Sequence, residues 1–156
     1  PVITSAGSWR SRSVIGVITC TSRARKPKLF LRIFKHSIRY PDVIRCLKEF
    51  RRHVKGRIIL VWDGLPSHRA KMTTLFLKSQ KYWLTARRVP AYAPELNPVE
   101  YLWSASKSRD LAGLYVNTID DLDIHIKNSK RRFQRHPDLL VGFLKESRLF
   151  KKELST

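Results

Sequence analysis

Acid is what this chain has least of: 12 Asp and Glu stand against 32 Lys and Arg, a formal charge of +20 in 156 residues. Such an excess disfavours acidic partners least and repels cations most; it suits a polyanion. Cysteine is almost as scarce. Cys20 and Cys46 are the only two, and neither sits in a Cys-x-x-Cys or Cys/His spacing. That excludes a zinc-finger pattern and a disulfide framework, and both are expected to be small core residues of a reduced, cytosolic protein. No apolar run approaches 18 residues, so no membrane-spanning helix is indicated. No signal-peptide pattern opens the chain. It begins at Pro1 rather than Met and is expected to be a fragment or processed form.

What is present argues for a folded domain. The length is that of one domain with a single sizeable core. A hydrophobic content of 42%, with 4 Trp, 5 Tyr and 7 Phe, is more apolar surface than a disordered chain carries. The basic residues are distributed, as Arg23/Arg25/Lys26/Lys28, Arg51/Arg52/Lys55, Arg87/Arg88, Lys130/Arg131/Arg132/Arg135 and Lys151/Lys152. Any one cluster is explained by a solvated surface; five together suggest a broad face for nucleic acid.

The pattern predicts strands first, then alternation of helix and strand. Residues 13–20 and 28–34 are β-branched and aromatic runs separated by the basic, proline-containing residues 22–27, as in a hairpin. Pro41 opens a helix with Val43, Ile44, Leu47, Phe50 and Val54 on one stripe and Gly56 as its stop. Residues 57–62 are continuously apolar after Arg57, the pattern of a central, parallel strand covered on both faces. Ser67 is expected to cap a helix to about residue 79 that buries Met72, Leu75 and Phe76. A further strand follows over residues 83–89, then a proline-rich loop over 90–98. Asn97-Pro98 reads as N-cap and first helical residue, with Val99, Leu102 and Trp103 buried and Glu100 off that stripe. Thr118 caps the next helix; His136-Pro137 breaks it before a last short one. The sum is an α/β domain, a mixed sheet flanked by helices.

Two of the few acids are placed suggestively. Asp63 directly follows the apolar strand, where sites form in open α/β sheets. Glu100, 37 positions later, falls in the first turn of a helix, where a carboxylate is stabilised by roughly 0.3–1 kcal/mol. Two converging carboxylates repel unless a divalent cation joins them, and Mg²⁺ takes one or two carboxylates plus substrate phosphate. Asp-Gly is equally a turn former, and Glu100 equally a charge–dipole residue. Taken singly, neither acid chooses between these readings.

The surrounding residues do choose. Val61-Trp-Asp63-Gly-Leu-Pro-Ser-His68, followed by Pro90-Ala-Tyr-Ala-Pro-Glu-Leu-Asn97-Pro98-Val-Glu100-Tyr-Leu-Trp103-Ser-Ala-Ser-Lys107, resembles the DDE transposases of bacterial insertion sequences related to mariner elements. The resemblance spans most of the chain and implies an RNase H-like fold. It also implies three acids (two Asp and a Glu or Asp) holding two Mg²⁺ or Mn²⁺ ions. Asp63 matches the second acid and Glu100 the third; Asn97, Pro98, Trp103 and Lys107 match the motif around the third, and His68 the His after the second.

The family usually has Asn after the second Asp, where this chain has Gly64; the change is expected to loosen a local hydrogen bond. The first acid is not found: Asp42 starts a helix, Glu49 lies within it, and neither ends a strand. The chain is therefore expected to be the C-terminal part of a catalytic domain, lacking the first strand and the DNA-binding helices, and inactive alone. By the resemblance, water and then a freed 3′-hydroxyl attack DNA, with one ion activating the attacker and the other the leaving oxygen. Asp63 and Glu100 should then lie within about 10 Å of each other.

Arg69, Lys71, Lys107 and Arg109 are the candidate phosphate contacts. His68 could approach the scissile phosphate or serve as a local structural residue. Trp62, Trp83 and Trp103 read as core; Trp9, in a basic loop, is the candidate for stacking on a base. Expected partners are transposon ends and target DNA, with a homodimer as the active complex, in the bacterial cytoplasm. The alternatives are a non-catalytic, transposase-derived nucleic-acid-binding module and a structural basic RNA-binding protein. The last assigns no role to Asp63 and Glu100.

Charge alone predicts duplex DNA binding with little sequence preference. Affinity measured by titration should fall steeply between about 50 and 200 mM salt as counterions are released; a flat salt dependence contradicts it.

Overall fold

The computed structural model describes residues 2–4, 11–21, 25–90, 93–110 and 118–149. Trp9, the loop tip 22–24 and the last basic pair, Lys151 and Lys152, lie outside them. The chain divides into two compact units, residues 1–37 with 95–156, and residues 38–94.

The first unit is built on a three-stranded antiparallel sheet, β1 (Val2–Thr4), β2 (Ser11–Thr19) and β3 (Lys28–Phe34), in that order. β2 and β3 form the expected hairpin, running in register from Ser13 opposite Phe34 to Thr19 opposite Lys28. β1 was not read from sequence; three residues are too few to show a period. It carries no acid, so it is not the acid-ended strand of the family pattern.

Helices α4 (Pro98–Ala105), α5 (Ile119–Arg135) and α6 (Pro137–Glu146) complete this unit. Leu102, Trp103, Leu122, Ile126, Phe133 and Leu140 meet Val14 and Leu29 of the sheet in one core. α5 starts at a capping box: the Asp121 N–H donates to Thr118 Oγ1 at 3.1 Å and the Thr118 N–H to Asp121 Oδ2 at 2.9 Å. Arg12, buried on β2, is clasped by Asp123 of α5 with Nε and Nη2 at 2.8 and 3.1 Å from the two carboxylate oxygens. A paired geometry of this kind gives orientation as well as energy.

The second unit holds α1 (Tyr40–His53), β4 (Ile58–Trp62), α2 (Pro66–Arg69), α3 (Lys71–Ser79) and β5 (Leu84–Arg88). β4 and β5 are parallel, as the apolar run implied, from Ile58 opposite Leu84 to Trp62 opposite Arg88. Val43 and Leu47 of α1 and Phe76 and Leu77 of α3 join Trp62, Trp83 and Leu84 in a second core. α1 ends where expected, and Gly56 takes a left-handed φ of 87° that disfavours other residues. Among the described residues, no helix is long and apolar enough to cross a membrane.

Four local expectations fail. β4 is not covered on both faces: Ile58, Leu60 and Trp62 join the core, while Ile59 is 72% exposed. The unit's helices contribute side chains to one face, so the uninterrupted run hid a period of two. Ser67 caps nothing. The segment breaks at Ala70, whose ψ of 141° is extended, and Ser67 lies inside the short α2. The break resets the helical phase, so α3 buries Thr73, Phe76 and Leu77, not the Met72 and Leu75 stripe; Met72 and Leu75 are about half exposed. Cys20 and Cys46 are half-buried, not core, and neither is in a disulfide among the described residues.

A Cβ on Gly16 of β2 would lie 2.7 Å from Trp103 Cζ2. Trp103 is buried, so its ring has little room to retreat. Gly16→Ala should therefore destabilise the first unit by about 1–3 kcal/mol, read from the midpoint of denaturant unfolding; an unchanged midpoint contradicts this packing.

Candidate active site

Asp63 is the residue after β4, held there by the strand pair itself: the Val89 N–H donates to the Trp62 carbonyl at 2.9 Å. Its side chain closes a tight turn, with the Leu65 N–H donating to Oδ1 at 3.1 Å. The turn-former reading of Asp-Gly is thus correct as far as it goes, but it occupies only part of the carboxylate. His68 Nδ1 lies 2.7 Å from the same Oδ1 and 3.3 Å from the Asp63 carbonyl. Both oxygens only accept, so Nδ1 carries the proton.

The His68 ring is stacked on the buried Trp62 indole, centroids 4.3 Å apart and planes 12° from parallel. α2, which carries His68, is tied down by Thr73, fully buried, whose hydroxyl donates to the Ser67 carbonyl at 2.8 Å. Burial raises the Asp63 pKa; the His68 hydrogen bond, the Leu65 N–H and the charge of a protonated His68 outweigh it, and the carboxyl sits below its ordinary value.

Glu100 occupies the first turn of α4. Asn97 is extended, its Oδ1 accepts the Val99 N–H at 3.2 Å, and Pro98 follows as the first helical residue. The Glu100 N–H donates to the Asn97 carbonyl at 2.9 Å. Leu102 and Trp103 face the core and Glu100 is exposed, as the spacing required. The Tyr101 hydroxyl stands 3.2 Å from the Glu95 carbonyl and 3.3 Å from that of Glu146, joining the turn before α4 to the end of α6.

Four other acids of the described residues are engaged structurally: Asp42 caps α1, Asp121 caps α5, Asp123 holds Arg12 and Asp110 holds Arg132. No group of three or more His, Cys, Asp and Glu gathers among the described residues in a form that could hold a metal.

The phosphate-contact candidates are all exposed. Arg69 and Lys71 flank the α2–α3 break beside Asp63 in sequence. Lys107 and Arg109 lie on a π-helical turn, Ser106–Asp110, that continues α4. Sequence reasoning did not foresee that turn or its anchor. Asp110 Oδ2 accepts from Ser129 Oγ and from Arg132 Nη2, both at 2.8 Å. Arg132, counted from sequence with a basic cluster, is half-buried and used internally. Asp63, His68, Arg69 and Lys71 thus belong to the second unit, and Glu100, Lys107 and Arg109 to the first.

A family model described as DDE superfamily endonuclease matches residues 1–123, a span that includes both acids, and the chain belongs to that family. Among solved structures it is similar to the Mos1 mariner paired end complex with Mn: TM-score 0.65, 16% identity, covering 96% of this chain and 45% of that one. It is also similar to the Mos1 transposase catalytic domain with raltegravir and Mg (TM-score 0.56, 15% identity, 94% and 80% covered) and with Mn (0.52, 15%, 87% and 82%). At such identities these matches establish the fold, the RNase H-like one of that catalytic domain. No curated protein matches the chain in sequence.

A depressed Asp63 pKa has a definite sign in pH. The unfolded carboxyl titrates near 3.9 and the native one below it. The stabilisation is therefore present above about pH 4 and is lost as pH falls through the native pKa. An NMR titration should place the Asp63 carboxyl below the ordinary value, and Asp63→Asn should flatten the acid limb of stability. A native pKa at or above the ordinary one contradicts the geometry.

Proposed function

We propose that the chain is the part of a DNA transposase that supplies Asp63 and Glu100 as ligands for Mg²⁺ or Mn²⁺ in DNA cleavage and strand transfer. The observation that carries the reading is Asp63. In a chain of charge +20, a half-buried carboxylate at the end of a parallel strand is kept ionised and has one oxygen without a hydrogen bond among the described residues. The family match over both acid motifs supports it.

The donor chemistry fits. Carboxylate oxygens are hard ligands of the kind Mg²⁺ takes, and Glu100 is exposed in a rigidly capped first turn. Divalent ions held there would activate the attacking oxygen and stabilise the leaving one. The rest of the work falls to the protein. Arg69, Lys71, Lys107 and Arg109 take phosphate oxygens and set the register of the DNA without reading its sequence. The substrates in this reading are transposon ends and target DNA, handled by a homodimer. The paired end complex of the similar Mos1 mariner protein supports transposon ends as the partner.

The 156 residues as they stand supply two acids of a pattern of three. Alone, the chain should nick a labelled end-sequence duplex no faster than background. A longer protein carrying a third acid at a strand's end should nick in a Mg²⁺-dependent manner, and Asp63→Ala or Glu100→Ala should each abolish the activity. Nicking by the isolated chain that survives Asp63→Ala overturns the metal–carboxylate reading.

A further inference from the structure

The two hydrogen bonds to the Asp63 side chain converge on a single atom. Leu65 N–H and His68 Nδ1 both reach Oδ1, at 3.1 and 2.7 Å, and Oδ2 accepts no hydrogen bond among the described residues. A carboxylate held by one oxygen through two donors in different directions cannot turn about its Cα–Cβ or Cβ–Cγ bond without losing both. The donors are themselves immobilised. Leu65 accepts from the His68 and Arg69 N–H groups at 2.9 and 3.1 Å, which closes the turn between β4 and α2. The His68 ring lies flat on Trp62, which is buried in the second core and paired through its carbonyl to Val89.

We propose that His68 is a positioning residue. Braced on Trp62, it pins Asp63 through Oδ1 and leaves Oδ2 as the one oxygen presented to a divalent ion. This deepens the metal reading above and rests on it for the ligand, though not for the pin. It also chooses between the two roles His68 had in the sequence: the imidazole acts on the carboxylate rather than on the phosphate. The departure of Gly64 from the family's Asn is consistent with this division of labour. The turn's hydrogen bonds come from Leu65 and His68, and none requires a side chain at residue 64.

The test separates the pin from the metal. His68→Phe keeps a flat ring for Trp62 and deletes the Nδ1 donor; His68→Asn places an amide N–H near the Nδ1 position. Three-bond couplings to Asp63 Cγ, measured without metal, should report one χ1 rotamer in the native chain and in His68→Asn, and averaging in His68→Phe. Mn²⁺ affinity, followed by electron paramagnetic resonance of the free ion, should fall about 10-fold in His68→Phe, the low end of what losing a group behind a ligand costs, and recover in His68→Asn.

A single Asp63 rotamer retained in His68→Phe overturns the pin, whatever the metal does. Mn²⁺ binding unchanged in Asp63→Asn overturns the ligand reading instead, and the couplings still judge the pin. Should His68→Phe fail to fold, His68→Gln, whose amide reaches the Nε2 position and not Nδ1, replaces it with the same expected averaging.

Discussion

The close approach of Trp103 to Gly16 is the contact on which the first unit depends. A six-membered aromatic edge can sit on a strand backbone only where no side chain intervenes, and Gly16 is that place. Once Trp103 is seated there, Leu102 follows it into the core and Val99 lies against the same sheet. The helix is then fixed in rotation about its axis as well as in position. Asn97 and Pro98 fix where it begins. With start and rotation both set, Glu100 has no freedom to be anything but an outward residue of the first turn. Its exposure is a consequence of how its neighbours are buried.

The second unit arrives at an acid by a different route. Here the strand pair β4–β5 sets the place, and a turn closed by Asp63 itself sets the direction. Scarcity of acid sharpens the contrast between the two carboxylates and four of the others. Asp42 and Asp121 are consumed by helix starts, and Asp110 and Asp123 by buried or half-buried arginines. These four neutralise local donors and are not available to a cation. Asp63 keeps an oxygen in reserve, and Glu100 is exposed with no ion pair among the described residues. The same bookkeeping applies to the bases: Arg12 and Arg132 are internal struts, so the exposed basic surface is smaller than 32 basic residues imply.

Elements bounded by strong local chemistry were legible in the chain. The Asn97-Pro98 start, the Thr118 cap and the His136-Pro137 break stand where the residues placed them. Each depends on groups within four residues of one another, so nothing distant could overrule them. The failures share a cause as well. Ser67 has the chemistry of a cap, but the backbone turns extended at Ala70 and the phase of α3 shifts, exchanging Met72 and Leu75 for Thr73 and Leu77 as buried residues. A run of five apolar residues in β4 says that burial is possible on both faces; what packs there is settled elsewhere in the chain.

The candidate site divides along the same line. Local sequence determined that one acid ends a strand and the other opens a helix, because strand ends and helix caps are short-range events. The family motifs around them were legible for the same reason. Only the tertiary structure decided that His68 turns back onto Asp63, that Trp62 braces it, and that Asp110 reaches Ser129 and Arg132 across about 20 residues of chain. Those choices depend on where side chains meet after the chain has folded back on itself, and no spacing along the sequence encodes that distance.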